Sequence, residues 1–507
     1  MESMQALSSD AYRQQVWSQV KEVVAFVEQA VEARSAAHEL ERGLWERMLA
    51  LGHGCLKLFF SLCGDGDEGE TLVLPEGRVL QRLPERHGRP YQSVFGPFDL
   101  DRVVYGTREG QKIEAVPLDE RLRLPESKFS YLLQEWTQPS VVQLPYAQAR
   151  ALLAPILPGL PAVYSLERIH QAWAGDVAPF WDAAPPPPAA PAGALVVCSA
   201  DGKGAPIRGA EPAPVVERRH TSGGPQPGRK KIAWVGSVYT VMPFVRTPEE
   251  VCKSLFEAPP ADTSPARPKP QCKRLRASLL RDAQQSTQPA LDEVFGWMAQ
   301  EVQGRTPEGR HPIVMVMDGQ ETLWDAGLEH LPEERFEVIE VLDLLHVTSY
   351  LWEAAHLFYP VGSAGALGWM KAAVRRVLQG KALTVVEELR ERGRDLPHPR
   401  IKTLERICGY FEKNNHRMAY HEYLAAGYPI ASGIIEGACR CVVHDRMERS
   451  GMHWVLSGAH AMVSLRSVYL SDGLWSAFAQ FHIEHELRRL YPRVAANDDL
   501  LASLQVA

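Results

Sequence analysis

Residues 313–324 read IVMVMDGQETLW, in which five apolar residues run directly into Asp318 and Gly319. The apolar run predicts a buried strand. By itself, Asp-Gly after such a run is a common hairpin turn, and Asp also caps helices. However, the segment ALVVCSADGKGAPIRGA, residues 194–210, repeats the arrangement and places Asp201 at the end of a second apolar strand. Two carboxylates at strand ends indicate a function beyond the turn.

Composition limits the kind of protein that the chain can be. A chain of 507 residues is predicted to form about three domains. No run of about 18 apolar residues occurs, so we expect no membrane span, and the N-terminal sequence lacks the pattern of an export signal. The eight cysteines include no Cys-x-x-Cys pair, which favours reduced thiols over disulfides or a zinc site. These features predict a cytoplasmic protein.

Positive charge is concentrated in one part of the chain. The net charge is −7, yet residues 201–282 hold 15 basic against 8 acidic residues. Three clusters, at 217–220, 228–231 and 267–276, supply much of this charge. Such a block is typical either of contacts with DNA phosphates or of a solvated loop region, and composition alone does not separate the two.

The N-terminal part is predicted to be mostly helical with a small β-hairpin. Apolar residues at helical spacing predict long helices over 11–62, and the segments 98–106 and 111–118 predict the two strands of the hairpin. Further on, the Pro/Ala segment 183–194 predicts an extended spacer with nothing to pack.

Three short helices are predicted between residues 126 and 173, with Ser165 as the cap of the last one. They fit a helix-turn-helix DNA reader whose third helix offers Arg168, His170 and Gln171 to a groove. An ordinary helical linker domain fits the same pattern.

The remaining sequence predicts an α/β core interrupted by a helical insertion. Apolar strands are predicted at 194–200, 230–244, 313–317 and 336–347, a helix at 289–302, and amphipathic helices over about 348–424. Beyond the insertion, Ser432 is expected to cap a helix with Ile435, Cys439 and Val442 on one face.

That helix carries a third acid, Glu436, on an adjacent face. Glu436 precedes Arg440 by four residues, so a surface salt bridge is one interpretation. The other is metal binding, because Asp and Glu oxygens are the hard ligands that suit Mg²⁺. Two such ions can activate an attacking oxygen and stabilise a leaving oxygen in phosphoryl transfer.

Three segments resemble those of DDE-class bacterial insertion-sequence transposases, specifically the Kra-type insertion-sequence group. They are SADGKGAP, VMDGQETLW and GYPIASGIIEGACRCVVHDRMERSGMHW, which contain Asp201, Asp318 and Glu436 respectively. The resemblance implies an RNase H-like core in which Asp201, Asp318 and Glu436 hold two Mg²⁺ ions, with Mn²⁺ as a substitute. It also implies an all-helical domain inserted between the second and third acids.

The segment VLDLLHVTSYLW also resembles the family, and it supplies Asp343 and His346 as supporting residues. A His near the metals could orient DNA or assist proton movement, whereas a structural His with Asp343 as a helix cap explains the same residues. Lys413, Arg417 and Tyr420 fit either DNA contacts or a solvated helix face. Some relatives carry cysteine pairs for a zinc ribbon where this chain has YGTREGQ at 105–111, so any ribbon here must fold without zinc.

We therefore expect a transposase that cuts the ends of its own element and joins the freed 3′-hydroxyl ends to target DNA. The expected partners are the terminal inverted repeats, the target DNA and further copies of the chain bound to that DNA, with no membrane partner and a nucleoid-associated location. The candidate DNA-binding residues are Lys203, Arg218, Arg219, Arg229, Lys230, Lys231, Lys273, Arg274, Arg168, Arg440, Arg446, Arg449 and Trp454. The alternatives are a transposase-derived DNA-binding protein without catalysis and an RNase H-like nuclease or resolvase.

These interpretations predict six segments. They are an N-terminal helical region at 1–92, a β-hairpin with a helix-turn-helix-like DNA-binding region at 93–182, a Pro/Ala linker at 183–194, the first part of the RNase H-like core at 195–347, the helical insertion at 348–427, and the glutamate helix with C-terminal helices at 428–507.

Overall fold

The structure is a computed structural model of the chain. It describes residues 8–107, 113–208, 230–257, 267–279, 289–332 and 335–492. The chain divides into two compact units. One takes the residues up to Asp176 together with those from Ala477 onward, and the other takes Val177–Ser476. The finer division into six segments stays a prediction.

The first unit is built mainly from helices, with two small antiparallel sheets. Its elements are α1 (Ser9–Glu32), α2 (Ala37–Cys63), β1 (Thr71–Val73), β2 (Val79–Arg82), β3 (His87–Ser93), β4 (Gly96–Arg102), β5 (Tyr105–Gly106), α3 (Pro117–Leu122), α4 (Tyr131–Gln143), α5 (Tyr146–Leu153) and α6 (Val163–Gly175). Strands β1, β2 and β5 form one sheet, and β3 pairs with β4 to form the other. The helices predicted over 11–62 and 126–173 are confirmed.

The hairpin predicted around residue 108 pairs residues 98–106 with 111–118, but most of the first segment pairs with an earlier strand. Strand β4 pairs with the preceding β3 across a tight turn, which Ser93 closes by accepting a hydrogen bond from the Phe95 backbone at 3.0 Å. Of the predicted second strand, Glu114 and Ala115 form backbone hydrogen bonds with Tyr105 of the first, through one antiparallel bridge, and residues 108–112 lie outside the described residues. Strand β3 is the favoured partner of β4 because the turn between them is short and is closed by a side chain.

The third short helix differs from its prediction in two respects. It begins at Val163, so Ser165 lies inside its first turn and does not cap it. His170 is fully buried, with its Nδ1 atom 3.0 Å from Oε1 of Gln138. His170 therefore packs inside the helical cluster and is not offered to a DNA groove, whereas Gln171 is exposed.

The last helix, α19 (Leu474–Leu490), completes the first unit from the far end of the chain. Nδ1 of His482 lies 2.6 Å from one carboxylate oxygen of Asp176, and Nδ1 of His485 lies 2.9 Å from the other. The ring of Phe478 meets the edge of Trp173, with 6.0 Å between the ring centroids. These contacts close the core of the unit around α6.

The second unit is a mixed α/β structure. Its elements are α7 (Val177–Ala183), β6 (Leu195–Pro206), β7 (Lys230–Val241), α8 (Pro248–Phe256), β8 (Gln271–Leu279), α9 (Pro289–Arg305), β9 (Ile313–Met317), α10 (Glu321–His330), β10 (Val338–Leu342), α11 (Leu344–Phe358), α12 (Ala364–Leu378), α13 (Ala382–Arg392), α14 (His398–Lys413), α15 (Tyr420–Ala425), α16 (Gly433–Cys439), α17 (Asp445–Met447) and α18 (Leu456–Tyr469). A π-helical turn, Arg440–His444, joins α16 to α17.

Five strands form one sheet in the order β10-β9-β6-β7-β8. Strands β6, β9 and β10 are parallel, and β7 runs antiparallel to both of its neighbours, β6 and β8. The strand β8 was not predicted, because its sequence QCKRLRASL reads as a basic cluster. Its arginines are tolerated in a strand because carboxylates on α9, the buried Glu301 and the half-buried Glu293, pair with them.

Helices cover both faces of the sheet. On one face α9 packs against β7 so closely that a side chain at Gly236 would meet Val294 and Met298. On the other face, residues of β6, β9 and β10 share one apolar core with helices α11 to α15. These five helices, between β10 and α16, confirm the helical character predicted for 348–424.

Two predicted segments take a different form. The strand predicted over 336–347 ends at Leu342, because Asp343 caps α11 and turns the apolar run into a helix. The spacer over 183–194 has no helix or strand beyond the end of α7, but it does pack. Pro187 and Ala190 are buried, and the backbone N–H of Ala190 donates to the carbonyl of Arg305 at 2.9 Å.

Candidate functional site

Two of the predicted acids lie at the same level on neighbouring parallel strands. Cys198 of β6 is paired with Met315 of β9, and three residues further along each strand stand Asp201 and Asp318. Adjacent strands are about 4.8 Å apart, and residues an even number apart point to the same face. The sheet therefore presents both carboxylates side by side on the face that carries the helical insertion.

The sequence predicts that Asp201 ends its strand, but the strand continues beyond it. Strand β6 continues to Pro206, because β7 pairs with it along its whole length, including Val235 opposite Asp201. Only the parallel neighbour β9 stops at this level, at Met317. Asp201 therefore stands on a rigid strand at the point where the adjacent strand ends.

The carboxyl group of Asp201 is only partly accessible. Its Oδ1 atom accepts a hydrogen bond from the backbone N–H of Gly202 at 2.7 Å. Burial raises the pKa of Asp201, and the nearby Asp318 carboxylate raises it further. A cation bound here would be stabilised by the negative charge of the two neighbouring carboxylates.

The Asp318-Gly319 pair leads from the strand into a helix and does not form a hairpin. Oδ1 of Asp318 accepts from the backbone N–H of Gln320 at 2.9 Å, and the carbonyl of Asp318 accepts from the indole of Trp324 at 2.7 Å. Gly319 faces the ring of Tyr410, and a Cβ atom at Gly319 would lie 2.8 Å from Cζ of that ring. A glycine is needed here because the tyrosine ring occupies the space that a Cβ atom would enter.

Asp343 extends the row of acids to a third parallel strand. Leu342 is paired with Met317, so Asp343 stands level with Asp318. Asp343 is only 1% exposed, and its oxygens accept from the backbone N–H of Leu345 at 2.9 Å and from the backbone and hydroxyl of Ser432. These contacts identify Asp343 as a structural cap.

His346 lies one turn along the helix that Asp343 caps. Its Nε2 atom is 3.9 Å from the Asp343 carboxylate, and its side chain is 44% exposed. It also lies close enough to Asp201 to lower the pKa of that carboxyl. His346 is therefore an accessible group beside the paired acids.

The helix α16 places Glu436 beside β6. Its predicted apolar face is confirmed, because Ile435, Cys439 and Val442 are all buried. The thiol of Cys439 donates to the backbone carbonyl of Asp201, with Sγ 3.9 Å from the oxygen. Burial raises the pKa of Cys439, and the negative charges of Asp201 and Glu436 add to that effect. The third acid thus lies on a helix that packs directly on the Asp201 strand.

The surface salt bridge considered for Glu436 is not formed. Arg440 pairs instead with Asp445, with Nε of Arg440 3.5 Å from Oδ1 of the aspartate. Glu436 is exposed. A salt bridge with Arg440 therefore does not account for a glutamate at this position.

The donor set of the three acids consists only of carboxylate oxygens, the ligands that Mg²⁺ prefers. The half-buried Asp201 and the neighbouring Asp318 fit a cation, since a positive charge would offset the repulsion that raises the pKa of Asp201. Within the described ranges, no three His, Cys, Asp or Glu side chains are gathered into a metal centre.

Two of the predicted phosphate-binding lysines lie on the same face as Asp201. Lys203 follows Asp201 by two residues, and Lys231 lies opposite Ala205 on β7. Both are exposed. By contrast, Lys230 forms an ion pair with Glu448 at 2.7 Å, and this hydrogen bond lowers the pKa of the glutamate.

Three predicted DNA contacts are instead parts of the packed interior. Arg274 is buried and forms an ion pair with Glu301 at 2.8 Å. Arg446 is fully buried with its guanidinium 4.9 Å from the ring centroid of Trp454, and the Trp454 indole donates to the carbonyl of Met447. These side chains are not presented to DNA, because their positive or polar groups are already used within the fold.

The remaining candidates are dispersed. Arg168, Arg440 and Arg449 are exposed, and Lys273 is half-buried. Arg218, Arg219 and Arg229 lie outside the described residues.

The segment before Glu436 also has a structural explanation. Lys413 pairs with Glu321 at 2.6 Å, Arg417 pairs with Glu340 at 2.5 Å, and Tyr420 is fully buried. Arg417 also stacks over Trp324, at 4.2 Å from the ring centroid. Lys413 and Arg417 fasten the insertion to α10, the helix that follows Asp318, and Arg417 and Tyr420 fasten it to β10.

Sequence reasoning missed Tyr410, the residue that faces Gly319. It lies on α14, an amphipathic helix of ordinary composition, and no local sequence motif distinguishes it. Only the packing of the insertion brings it to Asp318.

In comparison with known proteins, the chain matches no protein-family model and no curated protein. Among the residues that the structure describes, no helix is both long and apolar enough to cross a membrane.

Proposed function

We propose that this chain is a DNA transposase of the DDE class with an RNase H-like catalytic core. The observation that carries the proposal is the register that sets Asp201 level with Asp318 on adjacent parallel strands. The packing of α16, which bears Glu436, against the Asp201 strand supports it. A mixed five-stranded sheet carries the two aspartates, with β7 antiparallel to the strands on either side and β9 and β10 parallel to β6 on its other side.

In this proposal the three acids hold Mg²⁺. When bound, the metal supplies charge stabilisation for the attacking and leaving oxygens of a phosphodiester. The protein's own part is to hold Asp201 on a strand and Asp318 at the end of another, so that their positions vary little. The exposed Lys203 and Lys231 on the same face would neutralise backbone phosphates.

The remaining parts of the proposal concern partners. Exposed Arg168 keeps a DNA-reading role open for the three-helix cluster of the first unit. Two element ends and a target site require more than one active site, which motivates the proposal of several copies on DNA. This function requires a cytoplasmic protein that associates with the nucleoid.

The test is cleavage of a plasmid that carries this coding sequence with its native flanking DNA, with and without Mg²⁺. We expect the wild-type protein to cut at the element ends only with the metal, and Asp201→Asn and Asp318→Asn to be inactive. Asp325→Asn, an exposed acid on α10, is the matched control and should cut normally. Cleavage by both active-site variants at the wild-type rate would refute the proposal.

A further inference from the structure

Tyr410 reaches from the helical insertion to the residue that follows Asp318. A Cβ atom placed on Gly319 would lie 2.9 Å from the Tyr410 hydroxyl oxygen and 2.8 Å from the ring carbon that bears it. The hydroxyl end of the tyrosine is therefore directed at the Asp318 loop.

The ring of Tyr410 is held firmly. It stacks on Tyr350 of α11, with 3.9 Å between the ring centroids and an angle of 15° between the planes. On the same helix and one turn further on, the ion pair of Lys413 with Glu321 fixes α14 to the first turn of α10. A side chain held by packing on both sides keeps its hydroxyl in one place, as a binding group requires.

The hydroxyl of Tyr410 is shielded from solvent, and its O–H has no acceptor among the residues that the structure describes. The backbone N–H of Gly319 lies close enough to the hydroxyl oxygen to lower the pKa of Tyr410, but an N–H cannot accept the hydroxyl proton. Other tyrosines of the insertion do have partners. The hydroxyl of Tyr420 donates to the carbonyl of Leu342 at 2.7 Å, and that of Tyr423 donates to the carbonyl of Glu340 at 3.0 Å. A shielded hydroxyl whose proton has no acceptor destabilises a fold, so the position of Tyr410 beside the acids indicates that a ligand supplies the acceptor.

The chemistry of that ligand follows from the surroundings. Burial raises the pKa of Tyr410, and Tyr350, Asp318 and Asp343 raise it further. Any tyrosine hydroxyl is protonated at neutral pH, so this one can act as a hydrogen-bond donor. A donor beside carboxylates that would hold a cation complements an anionic oxygen brought there with the cation.

We propose that the Tyr410 hydroxyl donates a hydrogen bond to a non-bridging phosphate oxygen of the DNA strand that is cut at Asp318. Tyr410 is then a further catalytic residue, supplied by the helical insertion, and the insertion contributes directly to the active site. This inference rests on the proposed function.

The test is Tyr410→Phe, which removes the hydroxyl and keeps the ring that stacks on Tyr350. We expect DNA affinity to change little and the single-turnover cleavage rate at saturating protein to fall at least about tenfold. Removal of one donor to a developing charge has cost more than this in enzymes. The thermal midpoint should stay the same or rise, because an unpaired polar group is removed.

Tyr423→Phe is the matched control, since it removes a hydroxyl that has a partner within the fold. It should lower the thermal midpoint and leave the cleavage rate of the folded protein unchanged. The opposite pattern, a less stable Tyr410→Phe with a normal rate, would assign Tyr410 to packing and overturn the inference.

Failure of this inference is distinguishable from failure of the proposed function. If Asp318→Asn is inactive and Tyr410→Phe cuts at the wild-type rate, the tyrosine has no catalytic part and the proposed function stands. If Asp318→Asn cuts as well as the wild-type protein, or the wild-type protein does not cut with Mg²⁺, both proposals fall.

Discussion

The hydroxyl of Ser432 donates a hydrogen bond to the buried carboxylate of Asp343, which ties the start of α16 to the end of β10. Ser432 had been expected to cap its own helix, but its side chain makes no such bond. It serves the neighbouring element instead. Because Glu436 stands one turn beyond Ser432, the contact with Asp343 sets the position of the third acid.

Ser432→Ala is expected to lower the free energy of unfolding by about 1.5–3 kcal/mol, the usual range for a hydrogen bond to a charged group. The loosened helix start should also reduce Mg²⁺-dependent cleavage. Ser363→Ala is the control, because Ser363 caps α12 at a distance from the acids and its loss should cost about 1 kcal/mol. Chemical denaturation measures both changes. A Ser432→Ala protein as stable as the wild type would show that the contact does not hold α16.

Glu436→Gln tests the third acid. The change removes a charged oxygen and keeps the size of the side chain, so folding and DNA binding should be retained. Cleavage should fall by about two orders of magnitude or more, and the rise in thermal midpoint on adding Mg²⁺ should shrink. A surface ion pair would be worth only about 0.3–0.5 kcal/mol, and Arg440 is already paired elsewhere.

If Glu436→Gln cuts normally while the two Asp variants are inactive, the third acid has been misassigned. Glu448 and Glu422 are the next residues to change. Glu448 pairs with Lys230, and Glu422 is exposed beside His421.

Asp201→Asn should make the protein more stable at neutral pH in the absence of metal. The pKa of Asp201 is raised in the folded protein, so its carboxyl favours folding only while protonated. That contribution is lost as the pH rises through the folded pKa. An amide avoids the cost of ionising this group. The thermal midpoint of Asp201→Asn should therefore exceed that of the wild type at pH 7, and the gain should vanish below about pH 4, near the pKa of an unfolded Asp.

The control for this pH dependence is Asp325→Asn, whose exposed carboxyl should give the same small difference from the wild type at both pH values. A destabilised Asp201→Asn at pH 7 would mean that contacts of the ionised carboxylate outweigh its burial.

Gly319→Ala should destabilise the second unit by about 1–3 kcal/mol, because the added methyl group meets the ring of Tyr410. Tyr410→Ala removes that ring at a cost of its own. In the double variant the clash is absent, so the combined loss should be smaller than the sum of the two single losses. Thermal or urea unfolding of the four proteins measures this coupling. Strict additivity would contradict the contact.

Lys203→Ala with Lys231→Ala should weaken DNA binding and reduce the slope of log affinity against log salt by about two units, one for each lost phosphate contact. Arg394→Ala with Lys402→Ala removes the same charge from exposed positions on the insertion and should leave the slope nearly unchanged. Fluorescence anisotropy at several salt concentrations measures both. Equal slopes for the two double variants would place the DNA on another surface.

Local patterns predicted much of the secondary structure. The strands β7 and β9 and the helix α9 follow from apolar runs and helical periodicity, and the structure has them within a few residues. The apolar run over 336–347 was misread because a continuous run does not separate strand from helix, and the decision rests on the cap at Asp343. The strand β8 was missed because its arginines are neutralised by carboxylates that lie on α9.

Some residues of the candidate site could likewise be predicted from the sequence, and others could not. Asp201 and Asp318 could be named because each follows an apolar run in the sequence, but their equal level on the sheet depends on strand register. Tyr410 could not be named, because its meeting with Gly319 arises from packing between elements far apart in the chain. Likewise, the burial of Arg274 and Arg446 depends on partners that local charge counts do not include.

The return of α19 to the first unit has a consequence for biosynthesis. At about 5–20 residues per second, the ribosome needs roughly 15–60 s to make Val177–Ser476 before the residues from Ala477 onward emerge. During that interval Trp173 and Asp176 lack Phe478, His482 and His485 as partners. The first unit therefore reaches its final packing only after translation of the second unit is complete.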